Sequence, residues 1–249
     1  MMELFFFYLL NFHIIVLTMD MLVHRGYSHG YLKVSPGFEH VCRFILWTIR
    51  WGTWPQWLRM SAGTHRLHHK NSDSENDSHS PYHISLKGLF NANHNPYFKR
   101  VDPNTHLDHA PDVPIYDDWM QRNVYSKYPY GGIVLISLIY GMLFGWIGLV
   151  VAPMLMWFSD KVGLVLLSAW LPHKVGLYRH EGNKYPDRSF NMFPLGIYFG
   201  GMAELHSNHH VYPNRANVGI KWFEFDLFYW YARLFEKFGW LKFIDRKAD

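Results

Sequence analysis

The sequence predicts an all-α integral membrane protein, a helical bundle of about three crossings plus interfacial helices, with a histidine-rich cap on one side. Two apolar segments are long enough for bilayer crossings: residues 4–23 for one helix, and residues 131–172 for a hairpin of two. The polar stretches that follow them contain two copies of the pattern His-x-x-His-His. No repeat or low-complexity tract divides the chain, so we treat residues 1–249 as a single domain.

The first membrane helix is predicted at residues 4–23. This stretch is about the length of a crossing, despite the polar residues Asn11, His13 and Asp20. The start of the chain lacks both a basic region and a small-residue cleavage site. We therefore expect a membrane helix here rather than a signal peptide.

The membrane hairpin is predicted at residues 131–172. Residues 131–159 and 162–172 contain no charged side chain, which leaves room for two crossings of about 20 residues each, joined by a tight turn. Asp160 and Lys161 interrupt the second crossing. Each would cost roughly 2.5–3.5 kcal/mol at a bilayer centre, so we expect them to face protein, face water or form a pair.

The remaining residues, 24–130 and 173–249, are predicted to form the cap and the interfacial helices. If all the histidine motifs serve one centre, an even number of crossings must separate them, so the apolar segment 38–58 cannot cross. This segment carries Arg43 and Arg50 and is predicted to be an amphipathic or half-inserted helix. The aromatic run 222–243 is predicted to be a helix in the interface. Basic residues flank the motifs, which predicts that the cap is cytoplasmic.

Each His-x-x-His-His motif predicts three imidazoles on one face of a helix. Positions i, i+3 and i+4 fall within roughly 100° of arc. Three converging neutral imidazoles are typical of a metal site. A simple histidine-rich surface is the alternative, since the chain has 17 histidines, but two identical triplets beside membrane segments disfavour it. The first motif comprises His65, His68 and His69, and the second comprises His206, His209 and His210.

A third motif, His24 and His29, directly follows the first membrane helix. Residues five apart are separated by roughly 140° on an ideal helix, so the helix must end or distort if both are to bind one centre.

The single cysteine, Cys42, excludes an internal disulfide, a CxxC zinc site and a cysteine-ligated iron–sulfur cluster. Any metal must therefore bind to histidine and carboxylate. Asp73, Glu75 and Asp77 follow the first His-x-x-His-His motif, and Asp73 lies four residues after His69. They either hold the second ring nitrogen of a ligand or form a solvated acidic loop, and we favour Asp73 and Asp77 for the first role.

The three motifs together, HX4H, HX2HH and HX2HH, resemble the histidine boxes of the membrane fatty acid desaturases. The resemblance is closest to the bacterial acyl-lipid and acyl-CoA Δ9-type branch. It continues through HRLHHKNSDSENDSHSP (65–81), DDWMQRNVYSKYP (117–129) and KWFEFD (221–226). It therefore covers essentially the whole chain.

The resemblance implies two iron ions in an all-histidine site on the cytoplasmic face of a helical bundle. A ninth ligand is implied by the stretch His173-Lys-Val-Gly176 after the hairpin, although an interfacial histidine is the alternative there. The implied ligands are His24, His29, His65, His68, His69, His173, His206, His209 and His210. The candidates to hydrogen-bond these ligands from behind are Asp73, Asp77, Glu204 and Asn208.

This chain departs from the family pattern at three places. Ala169 stands where the family often has an asparagine that holds a water on one iron, and Ser207 replaces a usual asparagine. A glutamate pair before the last motif is reduced to Glu204. Because the groups behind the ligands orient the imidazoles, these changes predict weaker support of the metal.

The implied activity is the introduction of a cis double bond, at the Δ9 position, into a long-chain acyl-lipid or acyl-CoA, with O2 as co-substrate. The chain lacks a dinucleotide fingerprint, a cysteine cluster and a haem motif, so an external ferredoxin or cytochrome b5-like donor is implied. Membrane lipid is an expected partner and nucleic acid is not. A hydroxylase or monooxygenase on the same scaffold is one alternative. A non-enzymatic metal-binding membrane protein is the other, although a transporter's ligands normally lie within its spans.

Overall fold

The computed structural model describes residues 1–198 and 204–244, which are mostly helical. The predicted single domain, 1–249, also includes residues 199–203 and 245–249, which lie outside the described residues. The α-helices are α1 (Met2–Thr18), α2 (Pro36–Trp47), α3 (Trp57–Asn71), α4 (Leu86–Phe90), α5 (Pro96–Arg100), α6 (Pro103–Asp108), α7 (Gly131–Phe158), α8 (His206–Val211) and α9 (Leu227–Lys237). The π-helical segments are Met19–Ser28, Gln121–Tyr125 and Ser159–Trp170, and the 3-10 turns are Ala92–His94 and Leu171–His173. The strands are β1 (Leu32–Val34) and β2 (Leu241–Phe243).

Among the described residues, two continuous helical stretches are long and apolar enough to cross a membrane, Met2–Ser28 and Gly131–His173. They coincide with the two segments predicted from the sequence. One face of α1 is buried against the rest of the protein through Phe12 and Ile15, whereas Phe6 and Leu10 are exposed. An exposed apolar face beside a buried one is expected of a helix whose outer side meets lipid.

The second stretch reverses direction at Gly145, which has φ 67° and ψ −159°. A Cβ atom on Gly148 would lie 2.2 Å from the carbonyl oxygen of Tyr140, a closeness that residues eight apart in one straight helix cannot have. A helical hairpin is therefore present within residues 131–172, but its arms are unequal, because the turn lies nearer the start than an equal division predicts. That both arms cross the membrane remains a prediction. Only glycine adopts this backbone conformation readily.

Asp160 and Lys161 form an ion pair, with 3.0 Å between Nζ and the carboxylate. The indole Nε1 of Trp51 donates a second hydrogen bond to Asp160 at 2.8 Å. The expectation that these two charges face protein or pair is confirmed, because each charge has a partner.

The prediction of one helix over residues 38–58 is wrong. α2 ends at Trp47, and the chain turns through residues 48–56 before α3 begins at Trp57. Arg50 and Gly52 both have positive φ in this turn, at 68° and 72°, which is incompatible with a continuous helix. The turn returns the chain so that α3 ends at the first His-x-x-His-His motif.

The predicted interfacial helix at 222–243 is also shorter in the structure. α9 begins after Asp226, whose side chain accepts a hydrogen bond from the backbone N–H of Tyr229 and so caps the helix. Gly239, with φ 70°, lies just beyond its end. The residues that follow form β2, which pairs antiparallel with β1. The all-α prediction is thus correct for the helices but missed this two-stranded sheet.

Candidate metal centre

The first histidine pair lies where the first membrane helix changes from α to π geometry. The segment Met19–Ser28 is π-helical, and the N–H of His29 donates to the carbonyl oxygen of His24, five residues earlier. The wider turn brings both imidazoles to the same side, with ring centroids 4.8 Å apart. The sequence prediction that the helix must distort between them is confirmed.

The two His-x-x-His-His motifs lie at the end of α3 and on α8. α3 packs closely on α6, where the carbonyl oxygen of His106 occupies the space that a Cβ atom of Gly63 would need. Each motif presents its three imidazoles to the same centre, yet divides them between two clusters. In each motif the two residues at i and i+4 belong to one cluster, and the remaining residue belongs to the other.

The five-histidine cluster combines residues from all three motifs. Its members are His24, His29, His65, His69 and His209. Neighbouring Nε2 atoms lie 2.9 Å apart for His29 and His65, and 2.9 Å apart for His69 and His209. All five offer one ring nitrogen within 4.8 Å of the others, which is the spacing of ligands around a single ion.

The four-histidine cluster includes the residue that follows the membrane hairpin. Its members are His68, His173, His206 and His210. The Nε2 atoms of His173 and His206 are 2.8 Å apart, and those of His68 and His210 are 3.3 Å apart. All nine histidines singled out in the sequence are thus brought together, five in one cluster and four in the other.

Carboxylates lie behind three imidazoles of the four-histidine cluster. Asp77 is 2.9 Å from Nδ1 of His68, and Asp73 is 2.8 Å from Nδ1 of His173. Both aspartates thus contact the second ring nitrogen of a clustered histidine, whereas the spacing suggested His69 as the partner of Asp73. The chain leaves the helix after Asn71, and Asp73 has φ 57°, which directs it to His173 instead.

Two further carboxylates were missed by the sequence interpretation. Asp187 lies 2.6 Å from Nδ1 of His210, and Asp20 lies 3.1 Å from Nδ1 of His24. Asp20 precedes His24 by four residues, a helical spacing that could have identified it. Asp187 lies in an irregular loop, far along the chain from His210, and no spacing in the sequence points to it.

Glu204 and Asn208 do not hydrogen-bond an imidazole in the part of the chain that the structure describes. Both carboxylate oxygens of Glu204 are buried without a hydrogen-bond partner, and the pKa of this carboxyl is raised to about 8 by burial and then by Asp226. Asn208 instead bonds to Asn191 and Glu224. These two residues therefore pack near the second His-x-x-His-His motif and do not hold an imidazole ring.

Ser207 is fully buried and holds the loop that carries Asp187. Its Oγ accepts hydrogen bonds from the backbone N–H of His180 at 2.9 Å and from Nδ2 of Asn183 at 3.1 Å. Nδ2 of Asn183 in turn donates to Asp187 at 3.0 Å. The serine that departs from the family pattern thus supports the imidazole of His210 indirectly, through Asp187.

The arrangement of ring nitrogens suits imidazoles that share a bound metal ion better than imidazoles with no ion between them. When the imidazoles of His68 and His210 are both neutral, as metal ligands are, and their Nδ1 atoms donate to the aspartates, both Nε2 atoms carry lone pairs. These lone pairs face each other at 3.3 Å, and neither can donate to the other. A cation between them resolves the repulsion, and imidazole backed by carboxylate is a common arrangement at metal sites.

Burial keeps most of these imidazoles neutral. Desolvation, and then the charge of neighbouring rings, lowers the pKa of His65, His69, His206 and His209 well below the usual 6.5. Burial lowers the pKa of His210 to about 4, despite Asp187. Neutral imidazole is the form that binds metal.

Of the remaining histidines, His79 lies closest to the centre. Its ring packs against His68 at an interplanar angle of 32°, with centroids 4.0 Å apart, and its Nδ1 is 3.9 Å from Asp77. Burial, and then the charge of His68, lowers its pKa to about 3.

The chain is similar in sequence to curated lipid desaturases. It is 26% identical over 213 residues to the sn-1 stearoyl-lipid 9-desaturase of Synechocystis sp., a match covering 82% of this chain and 59% of that protein. It is 24% identical over 223 residues to Delta-9 acyl-lipid desaturase 1 of Arabidopsis thaliana, covering 87% and 67%. A third relative is the hex-5-enoyl-[acyl-carrier protein] acetylenase of Moorena producens, 24% identical over 237 residues and covering 90% and 71%. No family model matches the chain.

Proposed function

We propose that the chain is an O2-dependent di-iron fatty acid desaturase, because its homologues support membership of the fatty acid desaturase family of the bacterial and plant Δ9 type. Desaturases are oxidoreductases. The observation that carries the proposal is the convergence of nine imidazoles in two adjacent clusters, in which the Nε2 atoms of His68 and His210 face each other. We propose that one iron binds in each cluster, with all nine histidines as ligands.

The reaction class agrees with what the side chains can and cannot do. Acids and bases of ordinary pKa cannot remove hydrogen from an unactivated methylene group. Bound iron supplies the capacity to activate O2 for that step. The protein's own part is to fix the imidazoles through the four aspartates and to exclude water, since the imidazoles of His173 and His209 are fully buried.

The substrate and the donor are proposed from the relatives and from the sequence. Two of the relatives described above act on acyl-lipids by name, which supports a long-chain acyl-lipid as the substrate and the Δ9 position for the double bond. Acyl-CoA is the other candidate. The absence of a redox-cofactor motif in the sequence supports an external ferredoxin or cytochrome b5-like protein as the source of electrons.

Expression in a host with a compatible donor, followed by gas chromatography of total fatty acids, tests the activity. We expect new C16 and C18 monoenes with a double bond near the middle of the chain. Hydroxy acids without monoenes would move the assignment to a hydroxylase on the same scaffold. Unchanged lipids, with iron bound and the donor working, would leave a metal-binding membrane protein.

We also propose that both histidine motifs of the cap face the cytoplasm. The hairpin in α7 returns the chain to its starting side, which supports a shared side for the regions before and after it. We expect single cysteines at the exposed positions Glu75 and Glu181, in a Cys42→Ala background, to react with an impermeant thiol reagent from the same side of sealed, oriented vesicles. Reaction of the two positions from opposite sides would refute this topology.

A further inference from the structure

The two histidine clusters differ in the charge that lies behind them. We infer that the four-histidine cluster takes up the first metal ion, and that the five-histidine cluster is filled second and releases its ion first. This inference rests on the proposed di-metal function. It concerns the order of loading, which the likeness to desaturases does not determine.

Three uncompensated carboxylates lie behind the four-histidine cluster. Asp73, Asp77 and Asp187 each contact one Nδ1 atom at 2.6–2.9 Å. Among the described residues, no lysine or arginine side chain forms an ion pair with any of the three. Their other partners are neutral, such as Ser80 Oγ and the backbone N–H of Arg188 for Asp73.

The five-histidine cluster has one such carboxylate, and the buried Arg25, which two aspartates share, compensates part of the negative charge there. Asp20 contacts His24, but its second oxygen accepts from Nε of the buried Arg25 at 2.7 Å. Arg25 also pairs with Asp226 at 3.0 Å. Within the described ranges, no carboxylate forms an ion pair with the other four imidazoles, and Nδ1 of His209 is buried without a partner.

This difference favours a dication in the four-histidine cluster for two reasons. A carboxylate behind an imidazole fixes its orientation and raises its basicity as a ligand. The three negative charges also attract a dication in a buried site, where screening by water is weak. The five-histidine cluster has one more imidazole to donate to a metal ion, and this difference by itself would favour binding there. Water can replace a missing donor, whereas it cannot replace a missing charge, so we expect the carboxylates to decide the order.

Asp187 is the best residue with which to test this. Its side chain is 17% exposed, whereas those of Asp73 and Asp77 are fully buried, so its replacement disturbs the interior least. Asn183 and the backbone N–H of Ser189 already hold it in place. Asp187→Asn removes the charge and keeps the shape, and its one amide oxygen can accept either from His210 or from Asn183 and Ser189.

The experiment is a titration of the metal-free full chain in detergent with Co²⁺, followed by visible absorption and by calorimetry. We expect two steps in wild type, the first at least about 10-fold tighter than the second. His29→Ala should keep the tight step and lose the weak one, and His210→Ala should lose the tight step. Asp187→Asn should weaken the first step by about 10- to 100-fold and leave the second unchanged.

The matched control is Asp117→Asn, which removes an exposed aspartate that pairs only with the exposed Arg122. It should titrate as wild type does. The inference is overturned if His210→Ala keeps the tight step, if the two wild-type steps are equal, or if Asp187→Asn leaves the first step unchanged. Binding of no Co²⁺ at all by wild type would instead overturn the proposed metal function itself. Circular dichroism of each variant excludes unfolding as the cause of a lost step.

Discussion

Acidifying the metal-free protein from about pH 7.5 to about pH 5.5 should unfold the histidine-rich cap. Five of the nine histidines, taken from both clusters, have a pKa below the 6.5 of an unfolded chain because their imidazoles are buried. These residues are His65, His69, His206, His209 and His210. Below pH 6.5 the unfolded chain therefore binds protons that the folded chain does not, and the free energy of unfolding falls as the pH falls.

The size of this effect follows from the number of groups. Each such histidine lowers the free energy of unfolding by up to about 1.4 kcal/mol per pH unit in this window. Five together approach the roughly 5–15 kcal/mol that stabilises an ordinary domain. The window ends for His210 at about pH 4, where the folded form also takes up its proton.

His68 changes the free energy of unfolding with pH in the opposite direction. Burial lowers its pKa, but the charge of Asp77 raises it above 6.5 overall. This contribution to stability is fully present below pH 6.5 and is lost as the pH rises through the folded-state pKa. One group of this sign cannot cancel five of the other. The lowered pKa of Asp77 and Asp187 adds a further loss of stability only at about pH 4 and below.

The measurement is the melting temperature of the chelator-treated protein from about pH 8 to about pH 5, with the metal-loaded protein as the control. We expect a steep fall below pH 6.5 for the metal-free form. The melting temperature of the metal-loaded form should begin to fall only at a lower pH, because protons must first displace the ion. A melting temperature that stays constant across this range in the metal-free form would contradict the prediction.

The six histidines of the two His-x-x-His-His motifs could be found from the sequence because helical spacing determines which side chains share a face. His173 was found only through the resemblance to the desaturases. His65 and His69 are four apart on one helix, and they lie in the same cluster. The sequence could not show that His68, between them, belongs to the other cluster. That division depends on how α3 and α8 face each other, which is a property of packing and not of spacing.

The supporting carboxylates were predictable only where they are close in sequence to a motif. Asp77 follows its partner His68 by nine residues, and the pattern identified it as a candidate. Asp187 reaches His210 from an irregular loop, held there by Ser207 and Asn183. No periodicity describes such a loop, so its contribution becomes visible only when the chain is folded.

Breaks within apolar segments were the other limit of the sequence analysis. Residues 38–58 are apolar enough to suggest one helix, but a positive φ at Arg50 and Gly52 turns the chain back. The same applies to the hairpin, whose turn is set by Gly145 rather than by an equal division of its length. Hydropathy measures how much of a segment is apolar, and it is insensitive to single backbone conformations of this kind.

Removing one imidazole from either cluster should abolish desaturation and release one metal ion, although the two substitutions lie three residues apart on α8. His206→Ala removes a donor from the four-histidine cluster, and His209→Ala removes one from the five-histidine cluster. Each vacated position leaves a buried cluster with one donor fewer, while the other cluster keeps its full set. We therefore expect each variant to hold one ion per chain after gel filtration, where wild type holds two, and to yield no monoenes above background by gas chromatography.

The control is His83→Ala, an exposed histidine outside both clusters, which should keep two ions and full activity. Two ions and normal activity in His206→Ala and His209→Ala would refute the assignment of ligands. Loss of both ions from each variant would show that the clusters bind as one unit rather than as two sites. The short spacing makes this a sharp comparison, because a merely structural effect of disturbing α8 would not remove a different ion in each variant.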